Sequence, residues 1–305
     1  MKQNINRNDP CYCGSGKKYK KCHLLIDQHG FIKKQNKANL IKSPQEIEGM
    51  RKAGKFNGEL MDYMRQFIKP GISTQELDTL AYEYTVKHGH KPAPLNYNGF
   101  PKSICTSINN VVCHGIPSPK DILKEGDIVN VDLTTIVDGF FGDSSETFMV
   151  GEVSQQAKHL ILVTAKALIL GISACKKGNH LRAIAEAIEP YVKSMGCSVV
   201  KQYTGHGIGK SFHEHFSVFH HISKDVDDII LMPGMTLTVE PMINLGSWEV
   251  ITDPVDKWTV RTKDGSLSAQ FEHTVLVTES EPEILTLTPT QKLSNKIIIV
   301  PGLEI

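Results

Sequence analysis

The sequence lacks a long uninterrupted apolar run. Its most apolar window, His159 to Cys175, is broken by Lys166. That window falls short of the roughly 20 apolar residues a membrane-crossing helix needs, so no membrane association is expected. A secretory leader is missing too: Met1 to Pro10 is polar throughout, with no apolar stretch and no small-residue cleavage site, which points to the cytoplasm. Cysteine is scarce, seven in 305 residues, and three of the seven fall within the first 22. In a reducing compartment that distribution argues for thiols or metal ligands rather than disulfides. With 40% hydrophobic and 22% charged residues, the chain can bury one large core or two modest ones.

Net charge is only +1, but it is unevenly spread: residues 1–43 hold ten Lys or Arg against two acids, leaving 24 against 31 in the remainder. A head of +8 therefore precedes a body of −7. Such a head suits a polyanion such as RNA, or is simply a solvated Lys-rich linker. Together with Ser43-Pro44 as a boundary, the charge shift divides the chain into a module over 1–23, a basic linker over 24–43, a body over 44–290 and a C-terminal extension over 291–305. Ser43-Pro44-Gln45-Glu46 reads as an N-cap, an N1 proline and an early acid. The apolar spacing Ile47, Met50, Ala53, Gly54 then predicts a helix through about Ile68.

The body uses one plan twice. Lys69-Pro70-Gly71 matches Lys176-Lys177-Gly178; Gln75 to His88 resembles Leu181 to Ser194; and Leu123 to Asp127 corresponds to Leu231 to Met235, each leading into a strand. The offset is 107 to 108 residues, and each half reads as two helices followed by strands. The expectation is an α+β fold with two pseudo-symmetric halves and a curved, mostly antiparallel sheet backed by helices.

Val129 to Thr134 alternates, which sets Asp132 on the face opposite Val129, Val131 and Leu133. A hairpin over Val137 to Gly142 brings Asp143 onto the adjacent strand. Two neighbouring carboxylates repel unless a cation or a shared proton relieves them. The second half adds His206 among glycines, then Glu240 and Glu272. Taken singly, Asp132 reads as a turn cap, His206 as a loop histidine and Glu272 as an ion-pair partner. Pooled, four carboxylates and one imidazole are too acidic for one structural zinc and suit two divalent ions.

With Tyr97 to Ser103, Val112 to Pro117, Asp132, Asp143, Gly205 to Gly209, Phe212 to Glu214, Glu240-Pro241 and Phe271 to Thr274 in order, residues 44 to about 290 resemble the type I methionine aminopeptidases, which have the pita-bread fold. The resemblance implies removal of the initiator methionine from nascent polypeptides when the second residue is small. It implies that Asp132 holds one metal, His206 and Glu240 the other, and Asp143 and Glu272 both, the ions being cobalt, manganese, iron or zinc. It further implies that His213 hydrogen-bonds the scissile carbonyl oxygen, that His114 contacts the scissile nitrogen or the residue after methionine, and that Glu240 shuttles a proton. Tyr97, Phe100, Cys105, Phe212 and Trp258 match the methionine pocket. Phe100 departs from the tyrosine usual there, and Phe141 stands where the family commonly has histidine. The family resemblance also suggests a monomer.

Cys11, Cys13, Cys22 and His23 lie within 13 residues around a glycine-rich turn, enough to close one structural zinc site. The segment resembles the SEC-C zinc motif of SecA translocation motors. Such motifs dock protein or ribosomal partners, and with the neighbouring lysines the ribosome is the expected partner. Rival readings are a proline dipeptidase or aminopeptidase P, which carry larger N-terminal domains, and a type II methionine aminopeptidase, which has a long insertion before the residue matching Glu240. A fold relative that has lost catalysis is the rival from another class; here all the ligand positions are occupied. Ile297 to Val300 reads as an added edge strand.

Overall fold

The computed structural model describes residues 40–227, 229–300, 302–303 and, earlier in the chain, Lys18. Cys11, Cys13, Cys22 and His23 lie outside the described residues. By internal contacts the chain forms two compact units, Met1–Ile41 and Lys42–Ile305, and the helices and strands from Pro44 onward belong to the second.

The first helix of this second unit, α1 (Pro44–Arg65), begins where the sequence predicts: Ser43 accepts from the Glu46 backbone N–H while the Glu46 side chain accepts from that of Ser43, a reciprocal cap. Helix α2 (Thr74–Lys87) is capped in the same way by Ser73 and Glu76. Met50, Ala53, Leu60, Met61 and Met64 bury one face of α1. Leu60, Met61, Met64 and, from α2, Leu77 and Ala81 pack on Val129, Val131 and Leu133 of the sheet.

The strands of the first half are β1 (Lys91–Pro92), β2 (Cys105–Ile108), β3 (Val111–Cys113), β4 (Ile128–Val137) and β5 (Phe140–Met149). In the second half, α3 (Gln155–Ser173) and α4 (Ala183–Ser194) precede β6 (Ser198–Val199), β7 (Gly205–His206), β8 (Ser217–Val218), β9 (Thr236–Val239) and β10 (Met242–Asn244). Then come β11 (Val250–Thr252), β12 (Val260–Thr262), β13 (Ser268–Gln270), β14 (Glu272–Leu276), β15 (Glu283–Ile284) and α5 (Pro289–Ser294). The principal sheet runs β1-β4-β5-β14-β15, with β2 also on β4 and β9 also on β14, and every pairing in it is antiparallel.

The hairpin joining β4 and β5 is tighter than the alternation suggests. Only Asp138 and Gly139 form the turn, both with positive φ (50° and 83°), the Asp-Gly arrangement that matches the twist of paired strands. Duplication is visible in the backbone hydrogen bonds. Gly71 N–H donates to Leu123 O and Leu123 N–H to Ile72 O; 107 to 108 residues later Gly178 N–H donates to Leu231 O and Leu231 N–H to Asn179 O. The halves meet where β5 pairs with β14, Ser145 opposite Glu272.

Over 19 residues α3 is long and apolar enough to cross a membrane, contrary to the reading of its shorter window, yet it serves as a core helix. Leu160, Ile161, Val163, Leu168 and Ile172 are buried, and the helix packs on α4 and on strands of its own half. The C-terminal residues also differ from expectation. Among the described residues Ile297 to Val300 adds no strand to the sheet; Val300 bridges only Leu303. Ile297 O accepts instead from the buried His273, and Gln291 of α5 donates to Glu146 of β5. Isolated apolar runs do not distinguish an edge strand from a chain pinned by side chains.

Asn57, fully buried on α1, ties the helix to both central strands: its amide N–H donates to Leu133 O (2.6 Å) and Gly142 O (2.9 Å), and its carbonyl accepts from the Ser144 hydroxyl. Helix and strand come so close that a Cβ on Gly142 would lie 2.5 Å from Ala53 O. Asn57→Ala leaves buried carbonyls without donors, an expected loss of about 1–3 kcal/mol. Urea unfolding should show a lower midpoint at unchanged slope; an unaltered midpoint would count against this clamp.

Candidate metal and substrate site

Every cavity residue named from the sequence lines a single cavity of about 400 Å³: Tyr97, Phe100, Cys105, His114, Asp132, Asp143, His206, Phe212, His213, Glu240, Trp258 and Glu272. Asp132 lies opposite Ser145 on β5, and Asp143 opposite Thr134 on β4. The two acids are diagonal neighbours on one face, not directly opposed. Their strands turn their other face to the core through Val129, Val131 and Leu133.

Side-chain hydroxyls orient the acids. Thr134 Oγ1 donates to Asp143 Oδ1 at 2.7 Å, leaving Oδ2 turned toward His206 Nε2 at 3.6 Å. Thr238, two residues before Glu240, donates to Glu240 Oε1 (2.8 Å) and accepts from the His206 backbone N–H (2.9 Å). Gln270 donates to Glu240 Oε2 at 3.2 Å. The Glu240 backbone N–H in turn donates to Nε2 of His220, a fully enclosed histidine held neutral by burial, with its pKa near 3. Thr274 completes the seam: its hydroxyl accepts from Asp143 N–H and donates to Asp143 O.

The electrostatics are unfavourable for a metal-free site. Burial raises Asp132 from an ordinary 3.8 to about 7. Burial, then the charge of the neighbouring acids, pushes Asp143, Glu240 and Glu272 well above the carboxylate range. His206 is driven down to about 3 by burial and by His213. Its Nδ1 lies 3.1 Å from Gly207 O, which can only accept; Nδ1 therefore carries the proton and Nε2 presents a lone pair. That lone pair faces Asp143 Oδ2 at 3.6 Å and Glu240 Oε1 at 3.7 Å, too far for hydrogen bonds.

Ligand atoms of Asp143, His206 and Glu272 all lie within 4.8 Å of one another. Two donors each about 2.1 Å from a common ion sit roughly 3.0–3.4 Å apart, so modest inward movement would seat a divalent cation. Converging acceptors that have no lysine or arginine paired with them among the described residues fit such an ion, and the oxygen-rich set fits two better than one zinc.

Aromatic rings wall the other end. Phe100 meets Trp258 edge-on (5.2 Å between centroids), and Phe212 stacks on Phe141 (5.6 Å) and lies against Tyr97 (4.9 Å). Tyr97 Oη is 2.9 Å from His213 Nδ1, and the His213 ring lies 4.1 Å from that of His206. Burial lowers His213 and brings His114 to about 4, so both are neutral. His114 has a positive φ of 55°, a conformation that non-glycine residues adopt at a cost and that recurs at functional sites.

Thr134, Thr238, Gln270, His220, Tyr203 and Met242 were missed by the sequence reading, although Tyr203, Met242 and Thr134 line the cavity. Thr238 was within reach, since a residue two before an acid on a strand shares its face. His220 has no local signal.

Residues 48–279 match the model of metallopeptidase family M24, and residues 7–25 match that of the SEC-C motif. The methionine aminopeptidase of Escherichia coli K12 is 49% identical over 248 residues, 81% of this chain and 93% of that protein. Methionine aminopeptidase A of Synechocystis is 52% identical, covering 81% and 97%. The crystal structure of the Rickettsia prowazekii methionine aminopeptidase matches with a TM-score of 0.78 at 47% identity, over 81% of this chain and 99% of that one. An Xaa-Pro dipeptidase from Bacillus anthracis, 24% identical with a TM-score of 0.67, shares the fold. The matched length, the identity and the buried donor set agree: this chain belongs to metallopeptidase family M24.

Proposed function

We propose that this chain is a methionyl aminopeptidase that removes the initiator methionine from new polypeptides in the cytosol when the second residue is small. The observation that carries this reading is the convergence of four carboxylates, three buried and Asp132 half-buried, and a neutral imidazole in a cavity walled by aromatic rings and a thiol. Asp132 would hold one divalent ion, His206 and Glu240 a second, and Asp143 and Glu272 both. When bound, such a pair supplies an activated water at neutral pH and countercharge for the oxyanion of the tetrahedral carbon.

The chain's own groups do the rest. Tyr97, Phe100, Cys105, Phe212 and Trp258 receive the unbranched thioether, which suits soft, polarisable contact with ring edges. With Nδ1 engaged by the Tyr97 hydroxyl, His213 turns Nε2 to the scissile carbonyl oxygen. His114 reaches the scissile nitrogen or the following residue. Glu240, held at Oε1 by Thr238 and at Oε2 by Gln270, passes a proton to the leaving amine.

The catalytic domain spans 44–290, with the C-terminal residues built onto it. Cys11, Cys13, Cys22 and His23 would hold one zinc, and the lysines beside them suit ribosomal RNA, near the point where nascent chains emerge. Deleting residues 1–39 should weaken ribosome co-sedimentation most at low salt; unchanged co-sedimentation at every salt concentration counts against ribosomal docking.

With added manganese or cobalt, the enzyme should cleave Met-Ala-Ser and leave Xaa-Pro peptides intact; the reverse preference identifies a proline peptidase. Asp143→Ala should remove metal binding and turnover together, and full activity in that variant would refute its bridging role. A carboxyl whose folded pKa is raised is protonated over a range where the unfolded chain has already ionised. For Asp132 that range runs from 3.8 to about 7, so its contribution to the stability of the metal-free protein is lost as pH rises through it. Metal binding displaces those protons. Calorimetric titration with manganese in two buffers of different ionisation enthalpy should therefore report proton release, with affinity weakening below pH of about 7. Heats independent of the buffer would contradict the buried-acid arrangement.

A further inference from the structure

We propose that Lys42 is a positioning residue for this reaction, acting through Glu214 on the loop that carries Phe212 and His213; the assignment rests on the aminopeptidase reading of the cavity. His213 belongs to no strand or helix, and the segment from Lys210 to Ser211 leads to it as bends. Its backbone is therefore placed by the two ends of the loop, while Tyr97 holds its ring at Nδ1.

One end is Gly209, whose carbonyl accepts from Phe141 N–H at 3.0 Å. The other is Glu214, adjacent to His213, whose N–H donates to Gly207 O at 2.7 Å and whose carboxylate receives Lys42 Nζ at both oxygens, 2.8 and 2.7 Å. The Lys42 and Glu214 side chains are only 6% and 16% exposed, so water screens this pair little. Lys42 is itself fixed, since its backbone N–H donates to Gly234 O at 2.8 Å. A Cβ on Gly209 would lie 2.4 Å from Glu214 Oε1 and 2.7 Å from Lys42 Cε, so the pair fills the space beneath the loop. The loop's other ion pair, Lys210 with Glu46, is more open to solvent and holds it less firmly.

A buried pair of this kind fixes geometry more than it adds stability, and removing one partner leaves the other charged and unsolvated. Without Lys42, Glu214 has reason to turn outward to water, drawing His213 from the carbonyl oxygen it serves. That contact matters most as charge develops on the oxygen, so its loss falls on kcat rather than KM.

The test uses the full, metal-loaded chain. Lys42→Met should lower kcat on Met-Ala-Ser by about ten- to a hundredfold, as a displacement near 1 Å can. Metal content should be unchanged and KM within about twofold, as expected when only a transition-state contact is lost. Lys42→Arg should recover most of the rate. Glu214→Gln should resemble Lys42→Met, and the double variant should be no worse than the poorer single, because both act through one contact. Multiplying losses, or a kcat for Lys42→Met equal to wild type, overturns the proposal. If Lys42→Met does not fold, Glu214→Gln and Lys42→Arg still decide it: wild-type kcat in Glu214→Gln, or no retained rate in Lys42→Arg, is the contrary result. Wild type and His213→Ala are run alongside. An inactive wild type sinks the aminopeptidase reading itself, whereas an active wild type with an indifferent Lys42 sinks only the positioning role.

Discussion

Four carboxyl groups gathered in one cavity, all raised by burial and three of them further by their acidic neighbours, are the constraint around which the rest of the protein is organised. Taking one such group out of water is already unfavourable, and placing four within mutual reach compounds the penalty. Left to themselves the side chains would swing apart. They are kept together by short-range means: hydroxyls of Thr134 and Thr238, the amide of Gln270, and the imidazole of His220 behind the Glu240 backbone. Asn57 and the β5–β14 pairing hold the strands beneath. A rigid sheet of low-energy backbone thus carries a cluster of high-energy side chains, and divalent ions relieve the strain.

The two ends of the cavity follow from that division. At the acidic end Thr134, Thr238 and Gln270 engage Asp143 and Glu240; at the other, aromatic edges offer shape without fixed charge. Burial raises the Cys105 thiol far above its ordinary range, so it remains a neutral wall beside the acids. His213 and His114, both neutral, stand between the two regimes and can donate one hydrogen bond without adding a net charge.

What could be read from the sequence was whatever leaves a local trace. Ser43 and Glu46 announce α1, alternation announces β4, and a hairpin over Val137 to Gly142 was legible though its two-residue turn at Asp138-Gly139 was not singled out, because caps, pleats and turns act over a few residues. The duplication was legible because the same short phrase recurs at the start of each half. Family motifs supplied the cavity residues that composition alone would have left as isolated acids and histidines. Contacts spanning the chain left no such trace: Lys42 lies 172 residues from Glu214, and His273 finds Ile297 O across an intervening helix. An apolar C-terminal run read as a strand for the same reason, since nothing local records that a histidine will hold it.

The donors are divided between the two halves: Asp132 and Asp143 come from the first, His206, Glu240 and Glu272 from the second. During synthesis, which proceeds from the N-terminus, the first half brings only a pair of acids, a weak trap for any cation. The complete set exists only once residue 272 has left the peptidyl-transferase centre and β14 has found its place against β5. An enzyme built this way cannot trim other chains while it is itself still being made.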